Sequence, residues 1–238
     1  MVQLTQNHPY VTLRLKFKKV GNLQYVSHLD LVRTMHKIVV RAGLPLWYTE
    51  GFNPKPKMIF AAPLSIGTES IAEYMDVKLI DDIPPEEAMR RLNENMTDEI
   101  QVLEAYYTEE KLTNLKWLSY RMTVTTRGAS EALAERVREV LDSDSIMVEK
   151  KAPKKGETPK TFDIAPLIKQ CSVEYDQEHA SLVVDATLSA DASTFLNPEY
   201  VIKALKKYAG ILSSGDLLAE HYSIMRLAAY NEDMTPFR

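Results

Sequence analysis

The sequence predicts a mixed α+β protein with antiparallel sheets, and three observations lead to this prediction. Segments of alternating polar and apolar residues, which are typical of half-buried strands, recur along the whole chain. Between them lie segments whose apolar residues have the three- to four-residue spacing of amphipathic helices. The predicted strands and helices follow the order β-α-β-β-α-β, and a similar order then occurs a second time.

The first half of the chain supplies one complete set of these elements. Residues 10–18 alternate cleanly between apolar and polar side chains, which predicts a half-buried strand. The next segment is a predicted helix with Ser27 as its N-cap, Asp30 in capping-box spacing and Gly43 as its stop. The remaining predicted elements are strands near 57–62, at 72–80 and at 100–107, and a helix at 84–96.

The second half repeats the order less regularly. Its predicted elements are strands at 116–126, near 145–150, at 170–176, at 180–188 and at 221–229, and helices at 130–142 and 197–210. Residues 151–170 do not fit, because they contain a Lys/Pro/Gly loop and then a short helix at 164–169. The resulting prediction is two ferredoxin-like domains, 1–110 and 111–238, with a single larger α+β domain as the alternative.

Composition indicates the compartment of the protein and excludes some kinds of metal site and cross-link. Hydrophobic residues make up 45% of the 238 residues, which is enough for a substantial core. The single cysteine, Cys171, excludes an intramolecular disulfide and an all-cysteine metal site, and it suits a reducing cytoplasm. The first residues lack a signal-peptide pattern, and no apolar run approaches the roughly 18 residues that span a bilayer. We therefore expect a cytoplasmic protein that is not inserted in a membrane.

Charge is segregated along the chain, although the net charge is only −4. Residues 1–57 hold nine basic and two acidic side chains, whereas residues 58–110 hold three basic and thirteen acidic ones. Such segregation produces a basic patch on an acidic protein, or else the two segments neutralise each other in the fold. A second and weaker cationic feature is a lysine-rich loop that contains Lys150, Lys151, Lys154, Lys155 and Lys160.

The first predicted helix carries a row of cations. Arg33, Lys37 and Arg41 are spaced four residues apart, so they share one helix face opposite the apolar stripe. Three cations without interleaved acids repel one another mildly, and a phosphate backbone would relieve that repulsion. RNA is therefore a candidate ligand of this face. The alternative is an ordinary solvated helix face, or ion pairs with the acids of residues 58–110.

The start of the same helix places a histidine beside an acid. His28 would occupy the first helical position, near backbone N–H groups, where it could serve as an acid or base. The alternative for His28 and Asp30 is a purely structural role. The other histidines lack the spacing of metal ligands, and they are His8, His36, His179 and His221. We therefore predict neither a metal site nor a cofactor.

Residues 47–60, "WYTEGFNPKPKMIF", combine aromatic rings, prolines and lysines. The prolines favour extended backbone, which would hold Lys55 and Lys57 about 6–7 Å apart. Rings and cations on such a loop suit single-stranded RNA or DNA, through stacking on bases and contacts with phosphates. Tyr48 and Asn53 are then expected to contact a base or the edge of a partner.

The aromatic residues of this segment have a second interpretation. Trp47 and Phe52, taken singly, are expected to belong to the core rather than to a binding surface. In that case the prolines protect the edge of a sheet against aggregation.

Residues 21–79 closely resemble the signature of an uncharacterised bacterial radical-SAM-linked family, whose domains occur alone or fused behind a radical-SAM enzyme domain. The shared motifs are Ser27-His28-Leu29-Asp30, Arg41, Ala42-Gly43-Leu44, Gly51-Phe52-Asn53-Pro54, Pro56-Lys57, Pro63-Leu64, Gly67 and Glu73-Tyr74. Over residues 110–238 the resemblance is weaker, and Asp163-Ile164 and Arg226 are its main anchors. Val40 and Lys55 stand where the family commonly has Arg and His, so we assign no obligate catalytic role to either.

The resemblance implies a stand-alone accessory protein that binds RNA or presents a substrate to a separate radical-SAM protein. In this hypothesis five cations contact phosphates, and they are Arg33, Lys37, Arg41, Lys55 and Lys57. A rival hypothesis is a metal-independent RNA-processing or RNA-modifying enzyme, in which His28 is the acid or base and Lys57 stabilises charge. A third is a protein–protein adaptor that binds no nucleic acid.

Overall fold

The computed structural model describes residues 10–150 and 160–238, which divide into two compact units. The first unit runs up to Leu115 and also contains Pro236–Arg238, whereas the second spans Lys116–Thr235. His8 and three residues of the lysine-rich loop lie outside the described residues, and these three are Lys151, Lys154 and Lys155. None of the helices within the described ranges is long and apolar enough to cross a bilayer.

Four antiparallel strands and two helices form the first unit. In chain order they are β1 (Val11–Lys19), α1 (His28–Arg41), β2 (Met58–Phe60), β3 (Thr68–Leu79), α2 (Pro85–Asn93) and β4 (Ile100–Tyr107). The strand order across the sheet is β4-β1-β3-β2, with Leu13 opposite Val77 and Leu15 opposite Met75. The predicted β-α-β-β-α-β order is therefore present, although β3 begins at Thr68, four residues before the predicted start.

Local signals set the ends of α1 as the sequence predicts. The Ser27 side chain accepts a hydrogen bond from the backbone N–H of Asp30, which satisfies one of the free donors at the helix start. At the other end Gly43 has a φ of +64°, a left-handed conformation that glycine adopts without the penalty of a Cβ atom. The predicted helix boundaries are thus confirmed.

The core of the first unit lies between its sheet and its helices. Alternate residues of β1 point inward, and Leu13, Leu15 and Phe17 are fully buried. They pack in one cluster with the apolar stripe of α1, which consists of Leu31, Met35, Ile38, Val39 and Ala42. Each of the four larger side chains contributes about 1.5–3 kcal/mol by leaving water, so this stripe fixes which face of α1 remains exposed.

The second unit contains a similar set of elements with one addition. In chain order they are β5 (Trp117–Thr125), α3 (Glu131–Leu141), β6 (Met147–Lys150), β7 (Lys160–Asp163), β8 (Ile168–Asp176), β9 (Ser181–Ser189), α4 (Glu199–Tyr208) and β10 (His221–Tyr230). Its four-stranded antiparallel sheet has the order β10-β5-β9-β8. The β6 and β7 strands pair only with each other, as a separate two-stranded sheet.

This hairpin explains why residues 151–170 do not fit the predicted order. The strand predicted near 145–150 exists, but it pairs with Lys160–Asp163 instead of joining the four-stranded sheet. The short helix predicted at 164–169 is a single 3₁₀ turn at Ala165–Leu167, and β8 begins directly after it. The Asp163 side chain accepts hydrogen bonds from the backbone N–H groups of Ile146 and Ala165, which ties the hairpin base together.

A buried carboxylate joins two loops of the second unit. Glu220 is only 4% exposed, and it accepts four hydrogen bonds. The donors are the hydroxyl and N–H of Ser214, the hydroxyl of Thr126 and the N–H of Arg127, at 2.5–3.0 Å. These donors favour the charged form, Ser214 most strongly, and lower the pKa of Glu220 to about 2.

The stability contributed by Glu220 should therefore depend on pH. Because the pKa is lower in the folded state, this contribution is complete above the ordinary value of 4.5 and is lost as the pH falls towards about 2. Glu220→Gln should destabilise the second unit most above pH 4.5, and the difference from the wild type should shrink in acid. Urea unfolding followed by Trp117 fluorescence in a Trp47→Phe background would measure this, and a difference independent of pH would contradict it.

Candidate functional site

The cations predicted on α1 differ in their surroundings. Lys37 and Arg41 are exposed and one turn apart, and neither side chain has an ion pair or a hydrogen bond within the described part of the chain. Arg33 is also exposed, but its guanidinium lies 2.9 Å from the Asp30 carboxylate. In this row, therefore, Lys37 and Arg41 are uncompensated, and Arg33 is neutralised by Asp30.

The Asp30 carboxylate belongs to the cap of the helix. The Ser27 hydroxyl donates to Asp30 at 2.7 Å, and the Arg33 guanidinium donates to the other carboxylate oxygen. The hydrogen bond from Ser27, followed by that from Arg33, lowers the pKa of Asp30 below its ordinary value. The Asp30 carboxylate is thus ionised and already hydrogen-bonded to Ser27 and Arg33, which fits a structural role better than catalysis.

Lys37 and Arg41 line a groove beside α1. The groove lies between α1, the 3₁₀ turn Gly21–Tyr25 and the segment between α2 and β4, and its cavity has a volume of about 220 Å³. Its lining residues include three cations, three uncharged polar residues and six apolar residues: Lys19, Lys37, Arg41, Thr34, Asn95, Thr97, Leu23, Val26, Leu31, Ile38, Met96 and Ile100. None of these lining residues carries a carboxylate.

The third cation of the groove is almost completely buried. Lys19 ends β1 at an inward-facing position of the strand and is 1% exposed. Its ammonium group lies 3.4 Å from the backbone carbonyl of Gln24, in the 3₁₀ turn that forms one wall. Sequence reasoning missed Lys19, although it continues the inward set of alternating positions after Phe17.

His28 does not contact the groove. Its ring packs edge-on against the ring of Phe60, with the centroids 5.4 Å apart. On the same flank of α1, His36 Nε2 lies 3.3 Å from the backbone carbonyl of Pro56. This flank faces β2, whereas Lys37 and Arg41 face the groove on the other side of the helix. His28 and the two groove cations, Lys37 and Arg41, are therefore separated by the helix itself.

The segment that contains the two prolines forms a small hairpin. Thr49 N–H donates to the Lys55 carbonyl at 2.9 Å, and Lys57 N–H donates to the Trp47 carbonyl at 3.0 Å. The tip of the hairpin includes Gly51, whose φ of +122° is open to glycine but strained for other residues. The prolines therefore lie in one strand-like arm of a hairpin, in agreement with the predicted extended backbone.

The aromatic residues of the hairpin differ in how far they are buried. Phe52 lies fully exposed at the tip, so the expectation that it belongs to the core is wrong. Tyr48 and Asn53 are exposed as well, whereas Trp47 is half-buried and packs against Tyr10. Phe52 lies at the tip between Gly51 and Asn53, which are also exposed, so no neighbouring tip residue covers its ring.

Lys57 is held away from the α1 cations. Its ammonium group lies over the rings of Trp47, at 4.9 Å, and Tyr10, at 5.3 Å. Lys78 shares the Tyr10 ring and donates to Thr12, so these residues lie on the sheet face that does not pack against α1. The five cations of the RNA hypothesis therefore do not form one patch, and of the two hairpin lysines only Lys55 is exposed.

The acidic segment 58–110 neutralises part of the basic segment, but not its helix. Arg14 pairs with Asp76 at 2.7 Å and Lys16 pairs with Glu104 at 2.7 Å, both across neighbouring strands. Among the other acids of the segment, Glu87 pairs with Arg90 and Arg91 of α2, and Glu94, directly after this helix, pairs with Arg90. Charge compensation thus accounts for Arg14 and Lys16 and leaves the groove positive.

The structure defines a mixed α+β protein with antiparallel sheets, four α-helices within the described residues and a cationic groove in its first unit. The chain belongs to the bacterial family DUF2344, which is described as an uncharacterized protein conserved in bacteria and which matches residues 12–198. Among the described residues, no group of three or more His, Cys, Asp or Glu side chains could hold a metal ion.

Comparison with solved structures supports the fold class. A chain in the crystal structure of a Cbf5-Nop10-Gar1 complex matches with a TM-score of 0.51 and 12% identity, over 95% of this chain and 51% of that chain. This protein thus spans about half the length of that chain. An unknown protein from Galdieria sulphuraria matches with a TM-score of 0.25, 9% identity and coverage of 91% and 98%, and this likeness supports no conclusion. The comparison with curated proteins gives no significant match.

Proposed function

We propose that this protein binds single-stranded RNA along the groove beside α1. The observation that carries the proposal is the pair of uncompensated cations, Lys37 and Arg41, on a groove whose lining residues include no carboxylate. Cations one helical turn apart suit two neighbouring phosphates, which would also relieve their mutual repulsion. The apolar floor suits the bases of a single strand, because unpaired bases are free to leave their stack.

The exposed residues of the hairpin provide a second contact in this proposal. Tyr48, Asn53 and Lys55 are exposed, and they lie on the other flank of α1 from the groove. Arg33 and Lys57 contribute less, since each already has a partner within the first unit. The contact with RNA therefore rests chiefly on Lys37 and Arg41, and not on all five cations that the sequence suggests.

We also propose ferredoxin-like topology for both units and a radical-SAM protein as the partner. The topology is supported by strand order, because in each unit the first strand lies between the third and the fourth. In the second unit the β6–β7 hairpin would then be an insertion. The partner rests on the resemblance of residues 21–79, which implies that this protein presents RNA to a separate cytoplasmic enzyme.

Removing the two groove cations should weaken RNA binding and its dependence on salt. The double variant Lys37→Gln/Arg41→Gln loses two phosphate contacts, and each contact contributes about 0.7 to the slope of log affinity against log salt. We expect the slope to fall by about 1.4 and the affinity at low salt to fall by at least about tenfold. Fluorescence anisotropy with a labelled single-stranded RNA at several salt concentrations would measure both quantities.

The matched control lies on α4 in the second unit. Lys203 and Lys207 have the same i,i+4 spacing and are exposed, so Lys203→Gln/Lys207→Gln changes the net charge equally. This variant should keep nearly the full slope and affinity. Equal losses in both double variants would show a general effect of charge, and a wild type without salt-sensitive binding would refute the proposed function.

A further inference from the structure

We propose that the groove holds the base of one unpaired nucleotide, so that the protein distinguishes RNA with an extruded base from a continuous duplex. This inference deepens the proposed function and rests on it. The phosphates on either side of that nucleotide would lie on Lys37 and Arg41, at the exposed rim. The base would enter between α1 and the 3₁₀ turn Gly21–Tyr25.

The size of the groove favours a single ring system. Its volume of about 220 Å³ lies below the roughly 300–1,000 Å³ of pockets that hold drug-sized ligands. A stack of several bases would not fit, whereas one flat base would. The remaining nucleotides of the strand would therefore stay outside, on the surface of α1.

The chemistry of the walls matches a flat base with polar edges. The floor includes Leu31, Ile38 and Ile100, which are buried in the core and present apolar surface to the faces of a ring. The rim includes Thr34 and Asn95, which are exposed and able to hydrogen-bond the edges of a base. The Asn95 side-chain amide donates to the Arg91 carbonyl at 2.9 Å, which orients its oxygen as an acceptor.

Charge complementarity selects an anionic ligand over a neutral apolar one. Lys19, Lys37 and Arg41 surround the cavity, and no carboxylate lines it. Two of the nearby acids already have partners, because Glu99 accepts from Asn22 N–H at 2.8 Å and Glu94 pairs with Arg90. A nucleotide would pair its phosphate with the cations at the rim and bury its base against the apolar floor. A simple anion would pair with the cations but leave the apolar floor exposed to water.

The test fills the groove without removing its charges. Thr34→Phe places a ring at the rim of the cavity, and Val40→Phe places the same ring on an exposed position of α1 that does not line it. Binding is measured for a short RNA duplex and for the same duplex with one bulged nucleotide. The wild type and Val40→Phe should bind the bulged RNA about tenfold more tightly, and Thr34→Phe should bind both RNAs equally.

The outcomes separate this inference from the proposed function. If Thr34→Phe keeps the wild-type preference, or if the wild type binds both RNAs equally with salt-sensitive affinity, the base-binding groove is refuted while RNA binding stands. If the wild type binds neither RNA in a salt-sensitive way, the proposed function fails, and the inference fails with it. Circular dichroism of Thr34→Phe confirms that the variant is folded, and Lys37→Gln in that background should lower the remaining affinity further.

Discussion

Replacing Asp76 with Ala is expected to lower the free energy of unfolding of the first unit by about 3–5 kcal/mol. Asp76 on β3 lies directly opposite Arg14 on β1, and the two side chains form a bidentate pair at 2.7 and 3.1 Å. Arg14 is completely buried, so removal of Asp76 leaves its guanidinium without its cross-strand carboxylate in a site that water does not reach. The cost arises from this unpaired charge rather than from the lost attraction alone.

The surroundings of Arg14 make the expected cost larger than that of an ordinary ion pair. Its guanidinium also donates to the backbone carbonyls of Arg238, at 2.8 Å, and Glu110, at 2.6 Å. These bonds hold the side chain in place after Asp76 is removed, so it is not free to turn towards solvent. They orient the cation but do not replace the bidentate cross-strand pair with Asp76.

The second unit offers a matched control and a separate probe. Arg121 on β5 and Asp185 on β9 form the same cross-strand bidentate pair, but the arginine side chain is 51% exposed, so Asp185→Ala should cost at most about 1 kcal/mol. The only two tryptophans are Trp47 and Trp117, one in each unit. Urea unfolding followed in Trp117→Phe and Trp47→Phe backgrounds reports each unit alone. Similar losses for both Asp variants would contradict the argument from burial.

Some elements of this fold could be predicted because their signals are local. Ser27 and Gly43 bound α1 through their own backbone and side-chain chemistry, and alternation alone marks β1. The start of β3 at Thr68 was missed, since its polar first residues do not look like a strand without the partner strand. The β6–β7 hairpin was missed as well. The β6 strand pairs with residues 160–163, and the sequence of β6 alone does not show which strand it pairs with.

The candidate site was predicted only as far as a single helix extends. The i,i+4 spacing of Lys37 and Arg41 suffices to place them on one face of α1. The surroundings of Lys57 could not be predicted, because they depend on the rings of Trp47 and Tyr10, and Tyr10 is distant in sequence. The groove itself joins three separate segments, so Lys19 and Asn95 could not be assigned to it from spacing.

Replacing Phe237 with Ala is expected to destabilise the first unit, although this residue follows the whole second unit in sequence. Phe237 is 1% exposed and belongs to the first unit, as part of Pro236–Arg238. Its ring packs edge-on against Tyr74 at 5.0 Å and lies under the Arg14 guanidinium at 4.8 Å. Truncation of a buried phenylalanine leaves a cavity and costs about 3–5 kcal/mol.

The location of the loss is the informative part of this experiment. Unfolding followed through Trp47 should shift to lower urea, whereas unfolding of the second unit followed through Trp117 should begin from the same midpoint as in the wild type. Phe52→Ala is the control in the same unit, because that ring is fully exposed and its removal should change stability by no more than about 0.5 kcal/mol.

A shift confined to Trp117 would contradict the assignment of Phe237 to the first unit. A loss confined to Trp47 would show that a residue beyond the second unit in sequence stabilises the first unit.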